Sequence, residues 1–280
     1  MTIYDLVEII GLPIGVKEQL QVCQENRKNE IPIDIKDKLF DRNTWESGIA
    51  ELKEYLADDP YSMKILLEQM KFICEYTYDE YINRGISTEI FADTFGFINR
   101  FVAPTKDSNG KYRYDWAWWL QRQITLQEFR IGSLEYEFVD EENNRRIEIH
   151  IPSDANMELE TLCKSVVDFL EFEKKYFPNW VGVDLVTETW MVMPELDLVL
   201  PSDSKILKFK SLFDIESIDY NQTWYMGWIF PGYSEINDNL PENTTLHRNL
   251  KKYLLSGNKF GIAKGCLNLE RVYRVLEERN

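Results

Sequence analysis

The stretch His150-Ile151-Pro152-Ser153-Asp154-Ala155-Asn156-Met157 joins a strand-like run to a helix-like run. The first turn of a helix offers backbone N–H groups that have no partner inside the helix, together with a partial positive charge, and the two can hold a phosphate or pyrophosphate. Ile151, Ser153, Asp154, Ala155, Asn156 and Met157 would then line an anion site. The same residues also read as plain helix caps, through Ser153, Asp154 or Asn156, and an inward-turned Asp154 would repel an anion. His150 falls on the polar side of its strand, where a neutral imidazole could take a proton near pH 7 or serve as a hydrogen-bonded structural residue. Glu188 interrupts the apolar run Val183–Val192, and alternation puts it on one face with Asp184, Val186, Trp190 and Val192. Partial desolvation there would make its carboxylate a stronger base; an edge position would leave it in water. Gly257 to Gly265 carries three glycines and two lysines besides its apolar residues, suited either to close approach of a phosphate or to a plain loop. Neither G-x-x-x-x-G-K-[ST] nor G-x-G-x-x-G occurs, and G-x-S-x-G and H-E-x-x-H are also missing from the sequence.

Composition limits the partners. The chain has 280 residues, 44% hydrophobic and 14% aromatic, enough to bury a core without disulfides or metals. A net charge of −16 opposes duplex nucleic acid and anionic membrane surfaces, both of which are bound through Lys and Arg. The four cysteines, Cys23, Cys74, Cys163 and Cys266, form no C-x-x-C pair and read as reduced thiols. With only His150 and His247 as histidines, no short-spaced zinc ligand set can be drawn, so no metal is expected. The N-terminal MTIYDLVEII lacks the features of a signal peptide, and no apolar run reaches the ~18 residues of a membrane span, so the expected compartment is the cytoplasm.

The elements that would position these residues follow from periodicity. Helices are expected over Asp5–Ile10, Val16–Asn26, a stretch around Trp45–Leu56, Ser62–Arg84 as one long helix closed by Gly85, and Ser87 or Thr88 to Val102 ended by Pro104. Residues 27–34, with Pro32, read as a loop. After the turn Asp107-Ser108-Asn109-Gly110, the cluster Trp116-Ala117-Trp118-Trp119 leads into a further helix and reads as packing core more readily than as a ligand platform. The pattern then changes. Phe129–Phe138 predicts a strand, Asp140–Asn144 a turn, and Arg145–Ile151 an alternating partner strand. Beyond them come a helix Met157–Tyr176, a buried strand Val181–Val192, a helix Ile206–Phe213 capped by Ser202 or Asp203, strands Ile215–Tyr220 and Thr223–Phe230, and helices Leu246–Leu255 and Leu267–Glu278. The fold class is therefore α+β, a helical N-terminal domain (residues 1–124) followed by a mixed α/β sandwich (residues 125–280).

Several segments together carry a family likeness: Gly85-Ile86, Trp118-Trp119-Leu120, residues 129–137 (Phe-Arg-Ile-Gly-Ser-Leu-Glu-Tyr-Glu), His150–Asp154, Thr189–Leu196, Leu200-Pro201 and Ser204–Phe209. In their order and spacing the chain resembles bacterial two-domain acyltransferase-like proteins, with an N-acyltransferase N-terminal helical domain and a GNAT-like C-terminal domain. The resemblance implies a GNAT-like sandwich in the second half and transfer of an acyl group from acyl-CoA, acetyl-CoA foremost, to a small-molecule amine or hydroxyl acceptor. In such enzymes a splayed central strand and the loop after it bind pantetheine and pyrophosphate, which places the CoA at residues 151–157 here. That loop departs from the family pattern Q/R-x-x-G-x-G/A, since it holds no glycine. Under this reading Glu188 or His150 deprotonates the acceptor and Tyr225, on a late strand, protonates the leaving thiolate. The missing glycine-rich loop also admits a non-catalytic, GNAT-shaped ligand-binding module, and the aromatic helical half admits a protein-docking role.

Overall fold

A computed structural model describes residues 1–27, 30–141 and 144–278. Its contacts divide the chain into two compact units, Met1–Ile131 and Gly132–Asn280.

The first unit is helical: α1 Ile3–Ile9, α2 Ile14–Glu25, α3 Ile33–Phe40, α4 Trp45–Leu56, α5 Met63–Phe72, α6 Tyr78–Arg84, α7 Thr88–Val102 and α8 Ala117–Ile124, closed by a short strand β1 Glu128–Ile131. Local chemistry sets most of these ends. Thr2 and Asp5 form a reciprocal capping box on α1, and Ser87 Oγ accepts the Ile90 N–H at the start of α7. Gly85, at φ 70°, stops α6 in the left-handed region. The expected long helix Ser62–Arg84 is interrupted by a π-helical turn at Ile73–Thr77, whose Thr77 hydroxyl donates to the Ile124 carbonyl at 2.8 Å. The predicted loop 27–34 partly falls on residues 28 and 29, outside the described residues, and gives way at Ile33 to α3, with Pro32 as its N-cap. Proline suits a helix start, because the first N–H groups lack a helical acceptor. The core gathers Leu66, Met70, Tyr81, Phe91, Phe95 and Phe129, with Tyr81 edge-on to Phe91 at 5.2 Å. The tryptophans pack on one another and on Phe101, with Trp116–Phe101 centroids 4.1 Å apart and the Arg122 guanidinium 4.3 Å above Trp119, yet Trp118 is exposed and Trp116 and Trp119 are only half-buried, so the expected packing core is met only in part.

The run read as one strand over 129–138 is two, because the chain turns at Gly132 (φ 61°), where a Cβ would stand 3.3 Å from the Ser165 Cβ. The second unit begins there with β2 Leu134–Glu141 and β3 Asn144–His150, an antiparallel pair in which Glu135 faces His150 and Glu137 faces Glu148. The predicted turn Asp140–Asn144 includes residues 142 and 143, outside the described residues. Then follow α9 Leu159–Tyr176, β4 Leu185–Thr189, α10 Leu196–Val199, α11 Lys205–Lys210, β5 Phe213–Asp219, α12 Tyr225–Ile229, α13 Thr245–Leu255, β6 Ile262–Leu267 and α14 Leu269–Glu277. The strands of this unit lie in the order β2-β3-β4-β6-β5, with β3 and β4 parallel and the other neighbours antiparallel. Tyr136, Phe138, Ile147, Ile149 and Leu185 make the apolar face, on which Tyr136 stacks at 3.9 Å against Phe169 of α9.

Four expectations are corrected here. The strand Val181–Val192 shortens to β4, since the Thr189 hydroxyl accepts the Met191 N–H and starts a 3-10 turn at Trp190–Val192. The expected strand Thr223–Phe230 is instead the short helix α12. The antiparallel partner of β5 comes from Ile262–Leu267, inside the segment read as a glycine-rich loop. Two glycines of that segment serve the pairing: a Cβ at Gly261 would sit 2.1 Å from the Asp219 carbonyl oxygen, and one at Gly265 3.0 Å from the Phe213 Cβ. Finally, α11 is capped by Ser204 rather than Ser202 or Asp203. Among the described residues no helix is long and apolar enough to cross a membrane.

Candidate active site

The strands β3 and β4 run parallel but share only two residue pairs, Ile147 with Leu185 and Glu148 with Val186. Past that point the ladder ends, and the Thr187 hydroxyl donates to the Ile149 carbonyl at 2.9 Å in its place. His150 and Glu188 each lie two residues beyond the last pair, on the same face of the sheet. Parallel strands that part at their C-terminal ends open a crevice in which main-chain groups have no ladder partner, the usual position for a ligand in sheets with parallel strands.

The corner that follows is a turn, with the Ala155 N–H donating to the Pro152 carbonyl at 3.0 Å. Asn156 Oδ1 accepts the Glu158 N–H at 3.1 Å, and Glu158 is the N-cap of α9 without a side-chain cap bond. Thus α9 starts two residues later than expected, and neither Ser153, Asp154 nor Asn156 caps it. Ser153, Asp154 and Asn156 are exposed, whereas Ile151, Ala155 and Met157 are half-buried. The corner's charge is mixed and mostly negative: Asp154, Glu158 and Glu160 bring carboxylates, and Lys205 Nζ lies 2.6 Å from Glu158.

On the polar face of the sheet, His150 Nε2 is 3.0 Å from Glu137 Oε2, a diagonal contact between β3 and β2. Glu137 is only 1% exposed. Sequence reasoning selected His150 and passed over Glu137; the signal was available in the alternation Glu135-x-Glu137 set against Glu148-x-His150 across the hairpin. Arg146 Nη2 binds Glu148 at 2.6 Å and Arg146 Nη1 binds Glu141 at 3.1 Å, neutralising part of this acidic face. Glu188 is exposed and faces Lys264 across the β4–β6 pair, while Lys264 Nζ binds Glu216 at 2.8 Å. Glu188 therefore sits on a central strand yet in contact with water, unlike either of the two positions weighed from the sequence. Tyr225 lies on α12, buried edge-on against Phe260 at 5.0 Å, and burial raises its hydroxyl above the usual phenol range.

A separate open cleft of about 430 Å³ lies beside α13, lined by Asp238, Glu242, Arg248, Lys251 and Lys252. Lys251 is committed there: its ammonium donates to the carbonyls of Asp238 and Leu240 and to the Glu242 carboxylate, fastening the long loop before α13.

A helical unit is followed by a sheet in which, among the described residues, the parallel pair β3–β4 is joined by the crossover helix α9. The family comparison agrees. The model of the GNAT-like C-terminal domain matches residues 128–267, half of the chain, and the chain belongs to that family. The model of the N-acyltransferase N-terminal domain matches residues 1–126. A comparison with curated protein sequences gives no match. Among solved structures, the chain is similar to an acyltransferase in complex with decanoyl-CoA and teicoplanin, at 16% identity and a TM-score of 0.67, covering 96% of this chain and 100% of that one. An acyltransferase in complex with CoA and 10C-teicoplanin gives 15% identity and a TM-score of 0.65 over the same shares of both chains. At these identities the likeness is one of fold.

Proposed function

We propose that this protein transfers an acyl group from acyl-CoA to a small-molecule amine or hydroxyl. The observation that carries the proposal is the parallel β3–β4 pair, whose ladder ends after two residue pairs and leads through the Pro152 corner to the start of α9. The main-chain groups beyond the last β3–β4 pair suit an extended amide-bearing chain such as pantetheine, and the start of α9 suits its pyrophosphate, with the Ala155 and Glu158 N–H groups already engaged within the corner. The similar solved structures, which hold decanoyl-CoA or CoA together with teicoplanins, support the same pair of substrates for this chain.

In this reading an acceptor amine attacks the thioester carbonyl, a C–N bond forms and the C–S bond breaks. His150 takes the proton from the amine, with Glu188, on the same face of β4, as the second candidate base. Backbone N–H groups at the separating strands hold the developing oxyanion. The thiolate leaves and recovers a proton, with Tyr225 as the candidate donor; its burial, which holds the hydroxyl proton tightly, makes it the weakest of the three assignments.

One observation favours the alternative of a binding module without catalysis: Asp154, Glu158 and Glu160 surround the corner where a pyrophosphate would sit, and no glycine-rich loop offsets them. Isothermal titration of the full chain with acetyl-CoA, octanoyl-CoA and decanoyl-CoA tests both readings. Binding with thiol release on adding an amine supports acyl transfer, binding without release supports the module, and no binding of any of the three overturns both.

A further inference from the structure

We infer that Glu137 is the positioning residue of the candidate base His150, holding the imidazole proton on Nε2 so that Nδ1 carries the lone pair that accepts the substrate proton. The inference rests on the acyl-transfer reading for its chemical consequence, and on geometry for the pair itself.

The two side chains meet diagonally across the β2–β3 hairpin, with Glu137 Oε2 3.0 Å from His150 Nε2. Both strands are held in a seven-pair antiparallel register, so their Cα positions are fixed by the ladder rather than by the side-chain contact. The Glu137 side chain is 2% exposed, whereas the His150 side chain keeps 22%, so the imidazole is the more open partner of a mostly dry pair. An ionised carboxylate can only accept a hydrogen bond, and a neutral imidazole carries one N–H and one lone pair. Glu137 as acceptor therefore sets the tautomer: the proton stays on Nε2 and Nδ1 becomes the basic atom. The charged groups that the paired strands place on this face include Glu135, opposite His150 on β2, Glu148 and Arg146 on β3, and Glu188, Asp184 and Lys264 on the neighbouring strands. Glu148 is engaged by Arg146 at 2.6 Å, and a Glu137 oxygen lies at hydrogen-bond distance from the ring. During turnover the amine proton passes to Nδ1, Glu137 stabilises the resulting imidazolium, and the proton then leaves to the thiolate or to water, which restores the starting tautomer.

The substitution Glu137→Gln tests this. An amide can accept from Nε2–H through its oxygen or donate its N–H to Nε2, so E137Q removes the acceptor-only charge that fixes the tautomer and stabilises the imidazolium, while the side-chain shape is kept. Nitrogen-15 spectra of the imidazoles read the tautomer directly. With only two histidines in the chain, His247→Asn assigns the signals. The wild type should show a protonated Nε2, and in E137Q that preference should be lost or reversed. With decanoyl-CoA as donor and hydroxylamine or glucosamine as probe acceptor, kcat of E137Q should fall about 100-fold or more, with the KM for decanoyl-CoA within about twofold of the wild type. Glu137→Asp keeps a carboxylate and should recover part of the loss; it also serves if E137Q is misfolded by circular dichroism. A wild-type proton on Nδ1, or an E137Q enzyme with unchanged kcat, overturns the inference. A wild type with the Nε2 tautomer but no turnover of any acyl-CoA overturns instead the acyl-transfer reading on which the role of the pair depends.

Discussion

Replacing Glu173 with glutamine should make this protein more stable at neutral and alkaline pH, and the size of the gain follows from where the side chain sits. Glu173 lies in the last turns of α9, on the same stripe as Leu162, Val166 and Phe169, and is 2% exposed. Its Oε1 makes no hydrogen bond. Burial raises the carboxyl from its usual 4.5 to about 7. The C-terminal end of a helix, with its partial negative charge, adds to the cost of ionising an acid there. Below pH 4.5 both the folded and the unfolded chain hold the proton, so the group has no pH-linked effect. Between 4.5 and 7 the unfolded chain has released it and the folded chain has not, so stability falls as pH rises, at ~1.4 kcal/mol per unit. Above 7 both are ionised and the loss levels off near ~3 kcal/mol. Glutamine carries no such linkage. Urea unfolding of both proteins at pH 5 and pH 8 reads the effect: the advantage of E173Q should be under ~1 kcal/mol at pH 5 and approach ~3 kcal/mol at pH 8. Parallel pH profiles for the two proteins would refute the placement of an ionisable, dry carboxyl at this position.

Two further substitutions probe the second unit. Lys251→Met removes three donors from a buried ammonium and leaves the Asp238 and Leu240 carbonyls unsatisfied, which should cost about 2–4 kcal/mol and speed amide exchange in residues 238–244. The Glu242 carboxyl, held below its usual range by hydrogen bonding to Lys251, should titrate closer to 4.5 in that variant, and carbon-13 NMR of the carboxyl checks it. Gly261→Ala would force a methyl to 2.1 Å from the Asp219 carbonyl and should open the β5–β6 pair, lowering stability by about 3 kcal/mol in urea unfolding. An unchanged midpoint would remove the close approach as the reason for glycine at this position.

Helix existence was legible along most of the first unit because its signals are local. Apolar residues at helical spacing, Ser87 before α7 and Gly85 after α6 each act within one turn of chain. What failed there failed for local reasons too: Pro32 reads as a breaker and is a cap, and the π turn at Ile73–Thr77 leaves the apolar pattern unbroken. In the second unit the hairpin β2–β3 was legible from two alternating runs around a polar turn, whereas β6 was not. Its glycines look like a loop until Asp219 and Phe213, more than forty residues earlier, are laid against them.

The order of amino acids alone determined the helical first half, the α+β second half, the hairpin that carries His150 and the helix that follows Pro152, because each depends on periodicity and caps within a few residues. Only the tertiary structure decided that Glu137 meets His150, that Glu188 reaches water from a central strand, and that β3 and β4 part after two pairs. Those facts depend on which strands become neighbours and in what register, and pairing between distant segments leaves no period in the sequence to read.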